Sequence, residues 1–276
     1  MPVLSARLSG TPIEKEYLRL EASLGRVEAS GHPFDASLYP ADVVSKVARE
    51  WQLRMVFEHR SSMVFAQLAQ QLYEANAPLD MKIVMLRMAQ DELRHAGTCA
   101  DVIRALGGSP EPEAALEVVP LARHGERTAE ERALRNVRYT TCLSEMVACA
   151  RFVATIDVTR DPYLRDVQRA LLADEVLHGQ FGFHYLAWMQ PWLDAHPGER
   201  ASVERYLVHA FAILESELAP VGPFVSLTGA ERALGANDPA AAREIFYATM
   251  EGAVVPGLER LGLAADASWR QRRRLA

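Results

Sequence analysis

The sequence predicts an all-α protein: two pairs of long helices joined by a longer connection, with further helices packed outside them toward the C-terminus. Three observations predict it. Apolar residues recur at spacings of three and four over long stretches without helix breakers, start and stop signals bound those stretches, and strand-like alternation is absent. With 276 residues, 49% hydrophobic and 24% charged, the chain has ordinary globular composition and can bury a large core without staples. It reads as a single domain over 1–276, with a principal helical body over about 41–190 and accessory helices over about 198–262.

The elements follow in order. Up to about Pro40 the chain reads as irregular, broken by Gly10, Pro12, Gly31-His32-Pro33 and Pro40. From Ala41 to Ala75 nothing breaks a helix, and Val47, Trp51, Arg54, Met55, Glu58, Ser62, Phe65, Ala69 and Leu72 line one face of it. Ala77-Pro78-Leu79-Asp80 stops that helix, and a second runs from about Leu79 to Leu106, closed by Gly107-Gly108-Ser109-Pro110. Glu111 to Gly125 is the longer connection. Thr128 with Glu131 predicts a capping box that opens a third helix to about Thr159. Asp161-Pro162 opens a fourth, to roughly Met189. A helix around Arg200 to Leu218 and another around Pro239 to Leu261 complete the set.

Charge and cysteine content exclude several function classes. A formal net charge of -6 argues against a broad phosphate-binding surface, so no nucleic-acid partner is expected. The one basic cluster, Arg270, Arg272, Arg273 and Arg274, reads as a solvated, frayed tail. No stretch is long and apolar enough to span a bilayer. The first thirty residues, from Met1-Pro2-Val3-Leu4 on, mix Glu14, Lys15, Glu16 and Arg19 into any apolar run, against a secretory signal. Cys99, Cys142 and Cys149 form no Cys-x-x-Cys pair. Cys142 and Cys149 would lie about 10 Å apart along one helix, too far for a disulfide, so a reducing cytoplasm is the expected setting.

The chemistry is concentrated in a repeated motif. The second helix carries Asp91-Glu92-Leu93-Arg94-His95, and the fourth carries Asp174-Glu175-Val176-Leu177-His178. Residues three apart on a helix project together, so Glu92 with His95, and Glu175 with His178, each offer a carboxylate and an imidazole to one point. That mixed oxygen and nitrogen set suits iron or manganese. Glu58 on the first helix and Glu145 on the third lie among apolar or small residues, where a lone carboxylate would be costly to bury unpaired. They stand 34 residues before Glu92 and 30 before Glu175, one helix and a turn in each case. Glu58, Glu92, His95, Glu145, Glu175 and His178 are therefore the candidate metal ligands. Asp91 and Asp174 are placed to accept the second N–H of the imidazoles.

A Glu from each of two helices plus Glu-x-x-His from each of the other two resembles the ferritin-like superfamily. The doubled Asp-Glu-x-x-His is similar to its oxygen-activating branch, which includes bacterial multicomponent monooxygenases and ribonucleotide reductase small subunits. The resemblance covers about Val47 to Met189. It implies a four-helix bundle holding two iron ions, or a manganese–iron pair, with O2 as co-substrate and a small organic molecule as substrate. It also implies that Asp91 orients His178 and that Asp174 orients His95. No flavin, nucleotide or iron–sulfur motif is visible, so a separate reductase or ferredoxin would supply electrons. A homodimer is among the assemblies it allows.

Departures from the relatives narrow that reading. The reductase subunits carry a radical tyrosine where this chain has Cys99. Rubrerythrin-like peroxidases usually carry an extra glutamate where this chain has Ala148. Arylamine N-oxygenases carry an extra histidine where it has Leu171, and storage ferritins lack the second full motif. Cys149 is the candidate for a catalytic pocket role, because monooxygenase relatives place a small polar residue there. Plain core packing of its thiol is the alternative. A ferroxidase, metal store or scaffold remains the rival function. His59 and His184 fall off the ligand face and read as structural or surface residues.

Overall fold

The computed structural model describes residues 10–24, 31–111, 116–118, 120–125 and 127–274. The opening Met1-Pro2-Val3-Leu4 and the side chain of Arg274 lie outside them. Among the described residues every regular element is helical, and no helix is long and apolar enough to cross a membrane.

The first element corrects the sequence reading. Pro12–Leu24 forms a helix, α1, where irregular chain was expected. Pro12 stands at its first position, where a missing N–H breaks no helical bond, and nothing after it interrupts the turn. Two long helices follow, α2 (Ala41–Glu74) and α3 (Leu79–Ala105), which pack along each other. Asn76, at positive φ, and Pro78 turn the chain between them. Val47, Trp51, Met55, Phe65, Leu68 and Leu72 on α2 meet Met85, Met88, Cys99, Val102 and Ile103 on α3 in the buried core.

The third long helix is not regular throughout. It begins as α4 (Ala129–Val137), widens into a π-helical segment (Arg138–Glu145) and resumes as α5 (Met146–Val158). Thr128 accepts the Glu131 N–H at 3.2 Å, but Glu131 turns its carboxylate to Arg135 at 2.5 Å. Only half of the expected capping box forms, since a buried guanidinium is the stronger partner. The fourth long helix, α6 (Pro162–Ala195), is capped by Asp161, which accepts the Leu164 N–H at 2.9 Å. It runs through Pro191, six residues beyond the expected end.

The C-terminal helices cover the outside of this frame. α7 (Pro197–Leu218) docks on α4, where Arg135 donates to Ser202 and the fully buried Arg138 donates to the Val203 carbonyl. α8 (Gly229–Ala233) opens with a complete capping box, Thr228 with Glu231. α9 (Pro239–Thr249) packs on α5 and passes through a second π-helical segment (Met250–Val254) into α10 (Val255–Arg260) and α11 (Ala265–Gln271). In the basic cluster Arg270 and Arg273 are exposed, as expected, but Arg272 is not solvated. Arg272 is 2% exposed, lies over the Trp269 ring and donates to both Glu215 oxygens at 2.9 and 3.1 Å. A bidentate carboxylate and an aromatic face outweigh the solvation it gives up.

The π-helical segment lies hard against α6 at Gly182. A Cβ there would come within 2.1 Å of Thr141 Oγ1 and 2.5 Å of Cys142 Sγ. Both neighbours are fully buried, so neither can swing aside. Gly182→Ala should cost about 1–3 kcal/mol by overpacking, read as a lowered midpoint in chemical denaturation. A wild-type midpoint would show this contact to be loose.

Candidate metal centre

The four long helices bring all six predicted ligand residues together at their middle. Glu58 comes from α2, Glu92 and His95 from α3, Glu145 from the last position of the π-helical segment, and Glu175 and His178 from α6. His95 and His178 are 0% exposed, Glu92 1% and Glu175 2%, whereas Glu58 and Glu145 keep 9% and 8%. The centre is thus sealed on the α3 and α6 side and least covered toward α2 and α5.

The ligand atoms fall into two overlapping groups. Glu58, Glu92, His95 and Glu175 form one, and Glu145, Glu175 and His178 the other, each with its atoms within 4.8 Å of one another. Glu175 belongs to both: Oε1 lies 3.1 Å from His95 Nδ1 and Oε2 lies 3.1 Å from His178 Nδ1. Glu92 is turned the same way, with Oε1 2.9 Å from His178 Nδ1 and Oε2 4.0 Å from His95 Nδ1. Each of these carboxylates therefore presents one oxygen to each half. His95 Nδ1 and Glu92 Oε2 are buried and make no hydrogen bond of normal geometry. Unsatisfied buried donors and acceptors are costly, and a cation placed among these atoms would satisfy them. The residues fit a metal ion in each group, oxygen-rich with one imidazole.

Behind each imidazole stands an aspartate from the opposite half of the chain. Asp174 Oδ2 is 3.2 Å from His95 Nε2, a hydrogen bond. Asp91 Oδ2 is 3.8 Å from His178 Nε2, beyond hydrogen-bond length. Arg94 joins the two aspartates, donating through one NH2 to Asp91 Oδ1 at 2.9 Å and Asp174 Oδ2 at 2.6 Å. Arg87 adds a bond to Asp91 Oδ1 at 2.8 Å. Neither arginine was singled out from the sequence. The available signal was Arg94 standing inside the motif, one residue before His95, on a face that must be buried.

These contacts set the charges. Burial alone would raise Asp91, but the His178 imidazole and the two arginines outweigh it and hold it at about 2. Burial likewise opposes a charge on either histidine, yet the surrounding carboxylates win and lift both well above the ordinary imidazole range. Burial and the neighbouring Glu175 charge push Glu92 well up and Glu145 to about 8. Burial opposes the Glu175 charge as well, but the two imidazoles overcome it and hold that carboxyl below the usual carboxylate range. The protein by itself gathers protons where it lacks cations, as four buried carboxylates require.

Cys149 lies beside the centre, where the Glu175, Glu145 and His178 charges act on its thiol. Its thiol donates to the Glu175 backbone carbonyl at 3.1 Å, and burial pushes it up to about 12. It stays protonated near neutrality and packs on the turn of α6 that carries Glu175. His184 is exposed and His59 half-buried. Phe65 meets the His178 ring edge-on at 5.3 Å. Two surface clefts of about 440 and 530 Å³ lie elsewhere, one between the ends of α2 and α4 and one beside α7 and α9. Neither includes a ligand residue.

A pH dependence follows. The raised His95 and His178 stabilise the fold while they hold protons that the unfolded chain has released, an advantage lost as pH rises through their folded values. Glu145, at about 8, acts in the same direction, because ionising it in the fold costs stability that ionising it in the unfolded chain does not. His59 and His124, both lowered by burial, act only below about 6.5. Metal-free protein should therefore lose thermal stability from pH 7 to 9, by about 1.4 kcal/mol per pH unit for each proton involved. Metal affinity should rise over the same range as the ions displace those protons. Differential scanning fluorimetry with and without chelator reads both, and Glu145→Gln should flatten part of the slope. A melting temperature independent of pH in the chelated protein would contradict this account of the centre.

The chain matches no protein-family model and no curated protein sequence, so the functional reading rests on these residues alone.

Proposed function

We propose that the chain is a ferritin-like four-helix-bundle protein of the carboxylate-bridged dimetal kind, and that it is an O2-dependent oxidoreductase acting on a small organic substrate. The observation that carries this reading is the overlap of the two ligand groups at Glu175, with Glu92 turned to both halves. A pair of iron ions, or manganese with iron, bound by Glu58, Glu92, His95, Glu145, Glu175 and His178 would supply the activation of O2.

The chain's own contribution is positional and electrostatic. Four carboxylates balance the charge of two divalent ions, which makes the load tolerable in a buried site. Asp174 orients His95 by accepting from Nε2, so that Nδ1, which faces Glu58 and Glu175, would offer its lone pair once a metal displaced its proton. The imidazoles, with Arg94, keep both aspartates ionised, so that His95 Nε2 meets an acceptor in Asp174. Burial of Glu92, His95 and His178 excludes bulk water from the inner side. Cys149 acts as a positioning residue through the Glu175 backbone. A separate ferredoxin or reductase would deliver electrons, and a cytoplasmic setting suits the three free thiols.

An iron-handling role is the second reading, since the same carboxylates and imidazoles could hold iron in transit. Metal analysis separates the two. An oxidoreductase should bind two irons per chain, consume O2 once reduced, and keep both irons afterwards. Uptake and deposition of many irons per chain would establish the second reading instead.

Ligand and outer residues should differ in effect. Glu58→Ala and Glu145→Ala should each lower the metal content of the purified protein below two per chain, while helicity is retained. Asp174→Ala should weaken metal binding by roughly 10–100-fold, measured by competition with a chromophoric chelator. Two tightly held metals in all three variants would show that the ions sit elsewhere.

A further inference from the structure

The least covered side of the centre faces the gap between α2 and α5, whose backbones approach each other only sparsely. Arg54 spans that gap. It stands one turn before Glu58 on α2, and its guanidinium carbon lies 5.0 Å from the centre of the Trp51 ring and 4.4 Å from that of Phe152 on α5. Trp51 and Phe152 lie seven residues, two helical turns, from Glu58 and Glu145, on the same helix faces as those ligands. Arg54 thus sits beside the centre, on its more open side, with its guanidinium packed close to both rings.

Its hydrogen bonding is incomplete. Arg54 NH1 is buried and donates to nothing, and the residue makes no ion pair among the described residues. The nearest acidic side chain on its own helix, other than Glu58, is Glu50, whose carboxylate accepts the Asn237 N–H at 2.7 Å. Cys99, its neighbour on α3, is fully buried and held protonated. A guanidinium packed against aromatic rings can still offer its edge, the fork that matches a carboxylate in two parallel hydrogen bonds. Leaving such a donor buried and unmade is costly, and a bound anion would recover that cost.

We propose that Arg54 is the anchor for an anionic group of the substrate, so that the protein acts on an organic carboxylate whose apolar body lies against Phe152 toward Glu58 and Glu145. This deepens the proposed function and rests on it for the identity of the bound molecule as a substrate. The assignment of Arg54 as an anion site rests on its own geometry.

The test is binding of simple acids against their neutral amides. Benzoate and 3-phenylpropionate, with benzamide and 3-phenylpropionamide as controls, are titrated into the metal-loaded full chain and followed by calorimetry and tryptophan fluorescence. Each acid should bind at least tenfold more tightly than its amide. Arg54→Gln should abolish that preference with metal content and helicity unchanged, and Arg54→Lys should weaken it, because a lysine keeps the charge without the fork. Equal affinity for acid and amide in the wild-type protein overturns the proposal whether or not the variants fold. Unchanged benzoate affinity in Arg54→Gln also overturns it, as does the absence of saturable binding of either acid. A chain that prefers the acids through Arg54 but takes up no metal keeps the anion site and loses the dimetal reading. A chain with two metals and no preference for acids does the reverse.

Discussion

The structure depends on the burial of four carboxylates between four helices. Each of Glu58, Glu92, Glu145 and Glu175 brings a charge that an apolar interior cannot hold alone, and no lysine or arginine among the described residues forms an ion pair with any of them. Their compensation comes from two imidazoles and from whatever cation the centre takes up. Without a bound cation, protons stay on His95, His178, Glu92 and Glu145, and removing them from the folded chain costs stability. Metal binding and folding are then aspects of one charge balance.

The backbone around the centre is shaped by the same demand. Glu145 closes a π-helical segment, and α6 passes that segment at Gly182 with no room for a side chain. Widened turns of this kind are often found at functional sites, where they aim a residue that a regular helix would place elsewhere. The outer helices then hold the widened segment in place. Arg138, fully buried at its start, donates a hydrogen bond to the Val203 carbonyl of α7 and lies 5.8 Å from the Tyr206 ring, with burial pushing it down to about 10. The accessory helices thereby brace the least regular part of the frame.

Much of this was legible in the sequence, for a physical reason. Glu92 with His95, and Glu175 with His178, advertise themselves because a three-residue spacing on a helix fixes where both side chains point. Glu58 and Glu145 stood out as carboxylates on apolar faces. Long unbroken stretches and the Asp161-Pro162 signal located the helices. Other features left no such trace. An arginine on a helix ordinarily reads as a solvated residue, so Arg94 and Arg272 became visible only once their partners, eighty and fifty-seven residues away, were in place. The π-helical segment is written in ordinary helix formers and arises from tertiary packing. At α1 the sequence carried a start signal in Pro12, but the breakers around it concealed the helix.

The repeat in sequence produces a centre that is not symmetric in space, and the asymmetry lies in the outer residues. His95 has a hydrogen-bonded aspartate at 3.2 Å whose carboxylate is tied to Arg94, and its ligand group has three carboxylates around it. His178 has its aspartate at 3.8 Å, and its own group includes two. Asp91 cannot close on His178 freely, because Arg87 and Arg94 both hold its other oxygen. The single guanidinium of Arg94 thus links the orientation of one imidazole to that of the other, through two aspartates from opposite halves. Two similar motifs become one coupled unit with unequal sides, and the less covered side, at Glu58 and Glu145, is the one that Arg54 and Phe152 border.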